Sequence, residues 1–330
     1  MDRPLVALVL AGGTGTRLYP ASRSDRPKQF QSFGREQSLL AETVERAGFA
    51  DERYVLTREA YADGVRERAP GVAVLTEPEP KDTGPALAYA AHRIREQVGE
   101  CVLLCLPSDH HVDGDFEAVG ERAARTAAET GGLVTVGIEP TRAATEYGYI
   151  KPGAPADGYE RVDAFHEKPD AETARRYVEE GFYWNAGLFA WTPTAFLDAA
   201  RETPLGPLID RLGDDAAAAF DAIDPISVDY AVLERAEDVF VVPADLSWDD
   251  LGSWDALERV LDDSDGNAVL GDALGIDADG NVVATDGHVS VVGVSDLVVA
   301  SFDDRTLVVP KEQAQRVREV VAELRREDAF

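Results

Sequence analysis

Residues 5–10 read L-V-A-L-V-L and run straight into A-G-G-T-G-T-R-L-Y-P, with P-K-Q-F after a short spacer. An apolar, β-branched run that stops in glycines predicts a buried strand emptying into a loop whose backbone approaches a ligand closely. An anion suits such a loop. Gly12, Gly13 and Gly15 let backbone N–H groups face it, Arg17 adds a forked cation and Lys28 a point charge. Spacing excludes two familiar glycine loops. A Walker loop needs Gly-Lys-Ser/Thr after four spacer residues, and the count from Gly12 or Gly13 ends on Arg17 or Leu18. A dinucleotide fingerprint begun at Gly13 needs a third glycine where Leu18 stands. A bare glycine cluster would be read as a tight strand-to-helix turn; with Arg17 and Lys28 following, phosphate binding is the better reading.

Strand and helix patterns alternate after this loop. Strands are expected over residues 5–10, 53–56, 73–76, 102–106 and 133–137, with helices over 38–47, 61–68, 85–97 and 116–129 between them. That order predicts an α/β fold with a mostly parallel, Rossmann-like sheet covered on both faces. Ligands of such sheets lie beyond the carboxyl ends of the strands, where the glycine loop and the turn P-S-D-H at 107–110 both fall. The middle of the chain is mixed: a strand near 161–167, a helix over 171–180, the aromatic run F-Y-W-N-A-G-L-F-A-W with β character, and helices near 192–201 and 228–236. From about Gly266 the texture changes to short valine-rich strands broken by Gly and Asp, ending in a hairpin and a helix. We expect a catalytic domain over 1–262 and a small C-terminal β unit over 263–330, with turns like those of short-coil β-helices.

Charge narrows the partners. Among 330 residues, 62 are acidic and 32 basic, a net of −30 spread along the whole chain, with 45% hydrophobic content. Such a chain folds as a globule and its field repels nucleic acid and anionic membrane. Distributed acidity of this kind resembles that of halophilic proteins, whose surroundings screen self-repulsion. Only five of the basic residues are lysines, and four of them (Lys28, Lys81, Lys151 and Lys168) stand beside Pro or Gly punctuation that predicts loops. Cys101 and Cys105 share one face of an expected strand, too far apart for a disulfide, and read as buried small hydrophobes. The N-terminus shows no signal peptide and no stretch long enough to span a membrane, so the cytoplasm is the expected compartment.

Asp109 ends an apolar strand in L-P-S-D-H-H, on the side of the sheet where the glycine loop lies. Magnesium on nucleotides is held by one or two carboxylates and the substrate's phosphates, so a second carboxylate is expected, with Asp249 and Asp250 in S-W-D-D-L-G-S-W as candidates. His110 and His111 read as loop residues, because nothing completes a zinc set. Glu167-Lys168-Pro169 and Trp184-Asn185-Ala186-Gly187 combine a carboxylate, an ammonium, an amide and aromatic rims, which suits a phosphorylated sugar.

The ordered set L-A-G-G-T-G-T-R-L, P-K-Q-F, E-P-x-x-K-D-T-G-P-A, L-P-S-D-H, G-I-E-P-T, E-Y-G-Y-I, F-H-E-K-P, W-N-A-G-L-F, S-V-D-Y-A-V-L-E and W-D-D-L-G-S-W resembles the mannose-1-phosphate guanylyltransferases of the sugar-nucleotide pyrophosphorylase superfamily, from about residue 5 to 258. A weaker likeness extends into that family's short C-terminal β region. The first motif is shared across the superfamily; P-K-Q-F, F-H-E-K-P and W-N-A-G are more particular to the mannose branch. Long bacterial members carry a further isomerase domain, which this chain is too short to hold.

The resemblance implies a GT-A-like nucleotidyltransferase fold and a role for each matching position. Leu10, Ala11, Gly12, Gly13, Gly15, Thr16, Arg17, Lys28, Asp82, Thr83, Ser108 and Asp109 would bind the nucleotide. Gly148, Glu167, Lys168 and Asn185 would hold mannose 1-phosphate, and Asp109 and Asp250 would hold Mg2+. Arg17, Lys28, Asp109 and Asp250 would be the catalytic set. The implied reaction joins GTP and α-D-mannose 1-phosphate into GDP-mannose and diphosphate by in-line attack. One departure stands out: Lys81-Asp82-Thr83-Gly84-Pro85 replaces the family's frequent R-N-T-A-P, which bears on base or ribose recognition. The rival readings are a pyrophosphorylase for another nucleotide or hexose phosphate, and a non-catalytic regulatory protein on a dead transferase domain. A GTP-binding switch is disfavoured by the missing Walker lysine. Short apolar strand edges in the C-terminal unit allow a homodimer.

Overall fold

The computed structural model describes residues 3–261, 263–327 and 330. Its strands are β1 (Leu5–Leu10), β2 (Glu52–Arg58), β3 (Ala73–Glu77), β4 (Val102–Pro107), β5 (His111–Asp113), β6 (Leu133–Ile138), β7 (Tyr149–Pro155), β8 (Glu160–His166), β9 (Tyr183–Trp191), β10 (Val239–Ala244), β11 (Ser247–Asp249), β12 (Asp263–Ser264), β13 (Asn267–Ile276), β14 (Val282–Val292), β15 (Leu297–Phe302) and β16 (Arg305–Pro310). The helices are α1 (Leu39–Arg46), α2 (Ala62–Arg68), α3 (Thr83–Val98), α4 (Phe116–Thr130), α5 (Ala171–Glu179), α6 (Pro193–Arg201), α7 (Gly206–Ile209), α8 (Ala216–Asp221), α9 (Trp254–Glu258) and α10 (Val317–Arg326). Among the described residues no helix is long and apolar enough to cross a membrane.

Nine strands form the main sheet in the order β3-β2-β1-β4-β9-β6-β10-β8-β7. The expected α/β architecture is present, and the first four strands are parallel. Strand β9, the aromatic run, enters antiparallel between β4 and β6, so the far half of the sheet is mixed. Periodicity alone does not carry that insertion, because an aromatic strand pairs equally well in either direction. Local chemistry starts the helices. Asp115, Asp170, Thr192 and Asp215 accept backbone N–H groups at the starts of α4, α5, α6 and α8.

Two expectations need correction. The turn expected around Lys151 is strand β7, held by antiparallel pairing with β8 and β9. In place of the helix expected over 228–236 there is a single π-helical turn, Asp229–Leu233.

Compactness divides the chain into two units. The first comprises 1–12, 43–108 and 112–248; the second comprises 13–42, 109–111 and 249–330. From Gly13 onward the glycine loop therefore groups with the C-terminal chain, and the expected boundary at residue 262 lies outside the described residues. The first unit's core gathers Val6, Leu8, Ile94, Leu103, Trp191 and Phe196 from the sheet and its helices. Cys101 and Cys105 are buried thiols there, and burial pushes the Cys101 pKa up to about 12.

The second unit has a core of its own: Leu18, Tyr19 and Ala21, just after the glycines, pack with Trp254, Val282, Val298, Leu307 and Val317. Here β13, β14 and β15 stack in parallel and β16 returns antiparallel, in β-helix fashion. Buried Asn281 donates to Asn267 Oδ1 (2.8 Å) and Val294 O (3.0 Å), while its own Oδ1 accepts from Leu297 N (3.0 Å), tying successive coils. The interior amides thus satisfy backbone groups that the turns leave unpaired.

Candidate functional site

The charged cluster of the second unit begins with the glycine loop. Gly15 has φ +67°, and a Cβ there would lie 2.4 Å from Lys28 Cβ, so glycine is required by conformation and by contact. At Gly13 a Cβ would meet nothing within 4 Å, so no neighbouring side chain demands glycine there. Thr16–Leu18 form a 3-10 turn that carries Arg17. Lys28 starts a second such turn, and its side chain is only 3% exposed. Lys28 Nζ donates to Asp109 Oδ2 at 2.9 Å and to the carbonyl of Asp250 at 2.6 Å. Arg17 Nη2 stands 3.9 Å from Asp250 Oδ2, and Asp250 Oδ1 accepts from Gly252 N at 2.8 Å. Four residues from three separate stretches of chain, Arg17, Lys28, Asp109 and Asp250, thus meet in one cluster.

Electrostatics follow from that geometry. Burial resists ionisation of Asp109, but the charge of Lys28, helped by His110, Arg17 and the Lys28 hydrogen bond, holds its carboxyl below the ordinary range. Burial lowers the His110 pKa, against the nearby Asp109 and Asp250 carboxylates. His111, expected in a loop, begins β5, and its Nδ1 pairs with Arg35 Nη2 at 2.6 Å. Asp249 and Asp250 differ in their partners. Arg259 grips Asp249 Oδ2 through Nε and Nη2, each at 2.7 Å, and Leu251 N occupies Oδ1 at 3.1 Å. Asp249 is thereby committed, and Asp250 keeps an oxygen beyond hydrogen-bond reach of Arg17. Among the described residues no group of three or more His, Cys, Asp or Glu side chains gathers as a metal site.

The remaining expected nucleotide positions belong to the first unit. Leu10 ends β1 and Ala11 and Gly12 follow it; here Ser108 N donates to Leu10 O (3.0 Å) and Thr57 Oγ1 to Ala11 O (2.8 Å). A Cβ on Gly12 would lie 2.9 Å from Glu77 Oε1. Burial pushes Glu77 up to about 7, against the charge of Arg58. Sequence reasoning missed this carboxylate; its signal was an acidic residue at the carboxyl end of β3. Asp82 adopts φ +73° and accepts from Thr83 N at 2.7 Å, capping α3. Lys81 Nζ donates to the carbonyls of Phe220 (2.8 Å) and Ile223 (3.1 Å), so this lysine is structural.

The first unit also assembles the expected sugar-phosphate residues. Glu167 is nearly buried, pairs with Lys168 Nζ through Oε1, and places Oε2 2.6 Å from where a Cβ on Gly148 would be. Asn185 N donates to Gly148 O at 2.8 Å. The Asn185 carboxamide bonds Thr135 and Asp229, neither of which carried an expected role. Burial, followed by the Glu167 charge, pushes Asp229 up to about 7 despite Lys168. Asp229 lies inside S-V-D-Y-A-V-L-E; the polar residue before an apolar stretch was the available signal. Beside this group Tyr147, Trp184 and Trp248 stack edge-on, with Arg142 over Tyr147 at 5.2 Å and over Trp184 at 5.5 Å.

Comparison with known proteins adds an independent view. Residues 6–265 match the family model for nucleotidyl transferase, and residues 271–324 match that for the MannoseP isomerase/GMP-like beta-helix domain. The chain is 34% identical to a mannose-1-phosphate guanylyltransferase of Salmonella montevideo, over 98% of this chain and 74% of that one. It is 37% identical to the xanthan biosynthesis protein XanB of Xanthomonas campestris pv. campestris (strain B100), over 97% of this chain and 73% of the relative. A solved structure from Thermus thermophilus, named mannose-1-phosphate geranyltransferase, superposes with a TM-score of 0.89 at 39% identity, covering 98% of this chain and 99% of its own.

Proposed function

The chain belongs to the nucleotidyl transferase family, and from that premise we propose that it joins GTP and α-D-mannose 1-phosphate into GDP-mannose and diphosphate, with magnesium held by Asp109 and Asp250. The observation that carries this reading is the meeting of Arg17, Lys28, Asp109 and Asp250 in one cluster beside the glycine loop. The donor set fits the metal: two carboxylates are hard oxygen ligands, suited to Mg2+ that shares substrate phosphates. When bound, magnesium would neutralise charge on the triphosphate as the diphosphate departs.

The residues supply alignment and charge. An oxygen of the sugar phosphate attacks the α-phosphorus in line; the new P–O bond forms as the bond to the β-phosphate's bridging oxygen breaks, and its electron pair leaves with diphosphate. The attacking oxygen is already anionic, so no side chain needs to remove a proton. Lys28 and Arg17 would balance the phosphate charge, and the backbone N–H groups of the glycine loop would cradle it. Glu167 would accept from sugar hydroxyls, while Lys168 would pair with the sugar's phosphate.

The test is diphosphate release in high salt with magnesium, across a matrix of nucleoside triphosphates and hexose 1-phosphates. Release confined to GTP with mannose 1-phosphate is the expected result. Activity with another pair would overturn the substrate assignment, and silence across the matrix would overturn catalysis itself.

A further inference from the structure

A carboxamide offers two lone pairs and two N–H donors. In Asn185, Oδ1 accepts from Thr135 Oγ1 at 3.0 Å and from Gly187 N at 3.1 Å, while Nδ2 donates to Asp229 Oδ1 at 3.0 Å. Both lone pairs and one N–H are spoken for inside the protein. One N–H remains, so Asn185 can present a donor to a ligand and cannot present an acceptor. Flipping the amide would set its NH2 against the Gly187 N–H and its oxygen against the Asp229 carboxylate, so the orientation is strongly imposed.

We propose that Asp229 is a positioning residue for the sugar-phosphate site: by holding one N–H of Asn185 it aims the other at an oxygen of the bound hexose 1-phosphate. This rests on the sugar-phosphate reading given above. Three features distinguish Asp229 from an ordinary helix-start aspartate. It begins a π-helical turn, a local irregularity that costs regular hydrogen bonding and concentrates at functional sites. It is a half-buried carboxylate beside another, Glu167, an arrangement that is unfavourable for stability and so calls for a functional return. Its approach is fixed from outside the turn. Gly84 N donates to Ile226 O (3.1 Å), Ile226 N to Lys81 O (3.2 Å) and Val228 N to Thr83 Oγ1 (3.0 Å). A Cβ on Gly84 would lie 2.7 Å from Ile226 O, so glycine in K-D-T-G-P is what lets the two segments close. That turn, which departs from the family pattern, therefore anchors the segment that delivers Asp229 to Asn185.

The experiment is a double-mutant cycle on steady-state kinetics, with Asn185→Ala, Asp229→Ala and the pair, reading KM for mannose 1-phosphate and for GTP separately. Each single substitution is expected to raise KM for the sugar phosphate about tenfold while KM for GTP stays within about twofold, and the double variant is expected to be no worse than Asn185→Ala. Asp229→Asn, which keeps an acceptor oxygen, is expected to recover most of the loss. Effects that multiply in the double variant, or an equal rise in KM for GTP, would overturn the proposal. Should Asp229→Ala fail to fold, Thr135→Val serves in its place. It removes a hydroxyl from a fully buried position with little change of shape, and its effect is expected to vanish in the Asn185→Ala background. A wrong substrate reading shows itself differently, as wild-type preference for glucose 1-phosphate; the same cycle is then read on glucose 1-phosphate.

Discussion

Asp109 and Asp229 are both half-buried aspartates in polar clusters, yet their carboxyls are pushed in opposite directions. Asp109 has Lys28 at 2.9 Å and is held below the ordinary carboxylate range; Asp229 has Glu167 for a neighbour and rises to about 7. Burial opposes ionisation in both, so the sign is decided by the nearest charge. The difference matches the work proposed for each. A group meant to ligate a cation stays an anion across the physiological range, whereas a group meant to orient an amide needs only an acceptor oxygen at the right place.

The contrast is broken most severely at Lys28. Lys28→Ala removes the counter-charge of Asp109 and the anchor on the Asp250 carbonyl together, and turnover is expected to fall by about a hundredfold or more, with cooperative unfolding retained. Near-normal diphosphate release from this variant would remove the cluster from the mechanism. An intermediate effect separates the two loop glycines. Gly15→Ala forces a strained φ and a 2.4 Å contact on Lys28, so both activity and melting temperature should drop, the latter by the equivalent of about 1–3 kcal/mol. Gly13→Ala meets no protein atom within 4 Å, so any loss should fall on KM for the nucleotide with the melting temperature unchanged. Equal melting losses at the two positions would contradict the distinction.

The smallest effect is the pH dependence of stability. Native Asp229 binds its proton more tightly than the unfolded chain does, so stability falls as pH rises from about 4 to about 7, and the penalty is complete above that window. Asp109 has the reverse sign: its contribution is present above the ordinary carboxylate value and is lost as pH falls through its lowered pKa. Asp229→Asn should therefore melt above wild type at about pH 8, by up to a few kcal/mol, with the difference closing towards about pH 4. Glu167, Lys168 and Asp82 face the group and stay the same in both proteins, so they drop out of the comparison to first order. A difference constant across that range, measured by circular dichroism melts, would show that Asp229 is not buried as an unfavourable anion.

Much of the molecule was readable along the chain. The strand-to-glycine transition at 5–15 and the α/β alternation are local, because binary pattern and turn chemistry act over a few residues. The aromatic run read as β, but its antiparallel insertion between β4 and β6 depends on partners elsewhere in the chain. The valine-rich segment suggested coiled β turns; the Asn267–Asn281 pair that ties them spans 14 positions. Lys151 was misplaced because Pro and Gly punctuation can also interrupt an edge strand, as they do in β7.

The sequence by itself determined which groups were available: a glycine loop, two basic residues after it, carboxylates at strand ends, and an amide among aromatics. Only the tertiary structure decided which of them stand together. It committed Asp249 to Arg259 and left Asp250 beside Arg17 and Lys28, and it joined Thr135, Asn185 and Asp229 across 94 positions of chain. Residue type and turn chemistry are settled over short stretches, whereas hydrogen-bond partnership and the sign of a pKa shift depend on what distant segments bring within about 4 Å.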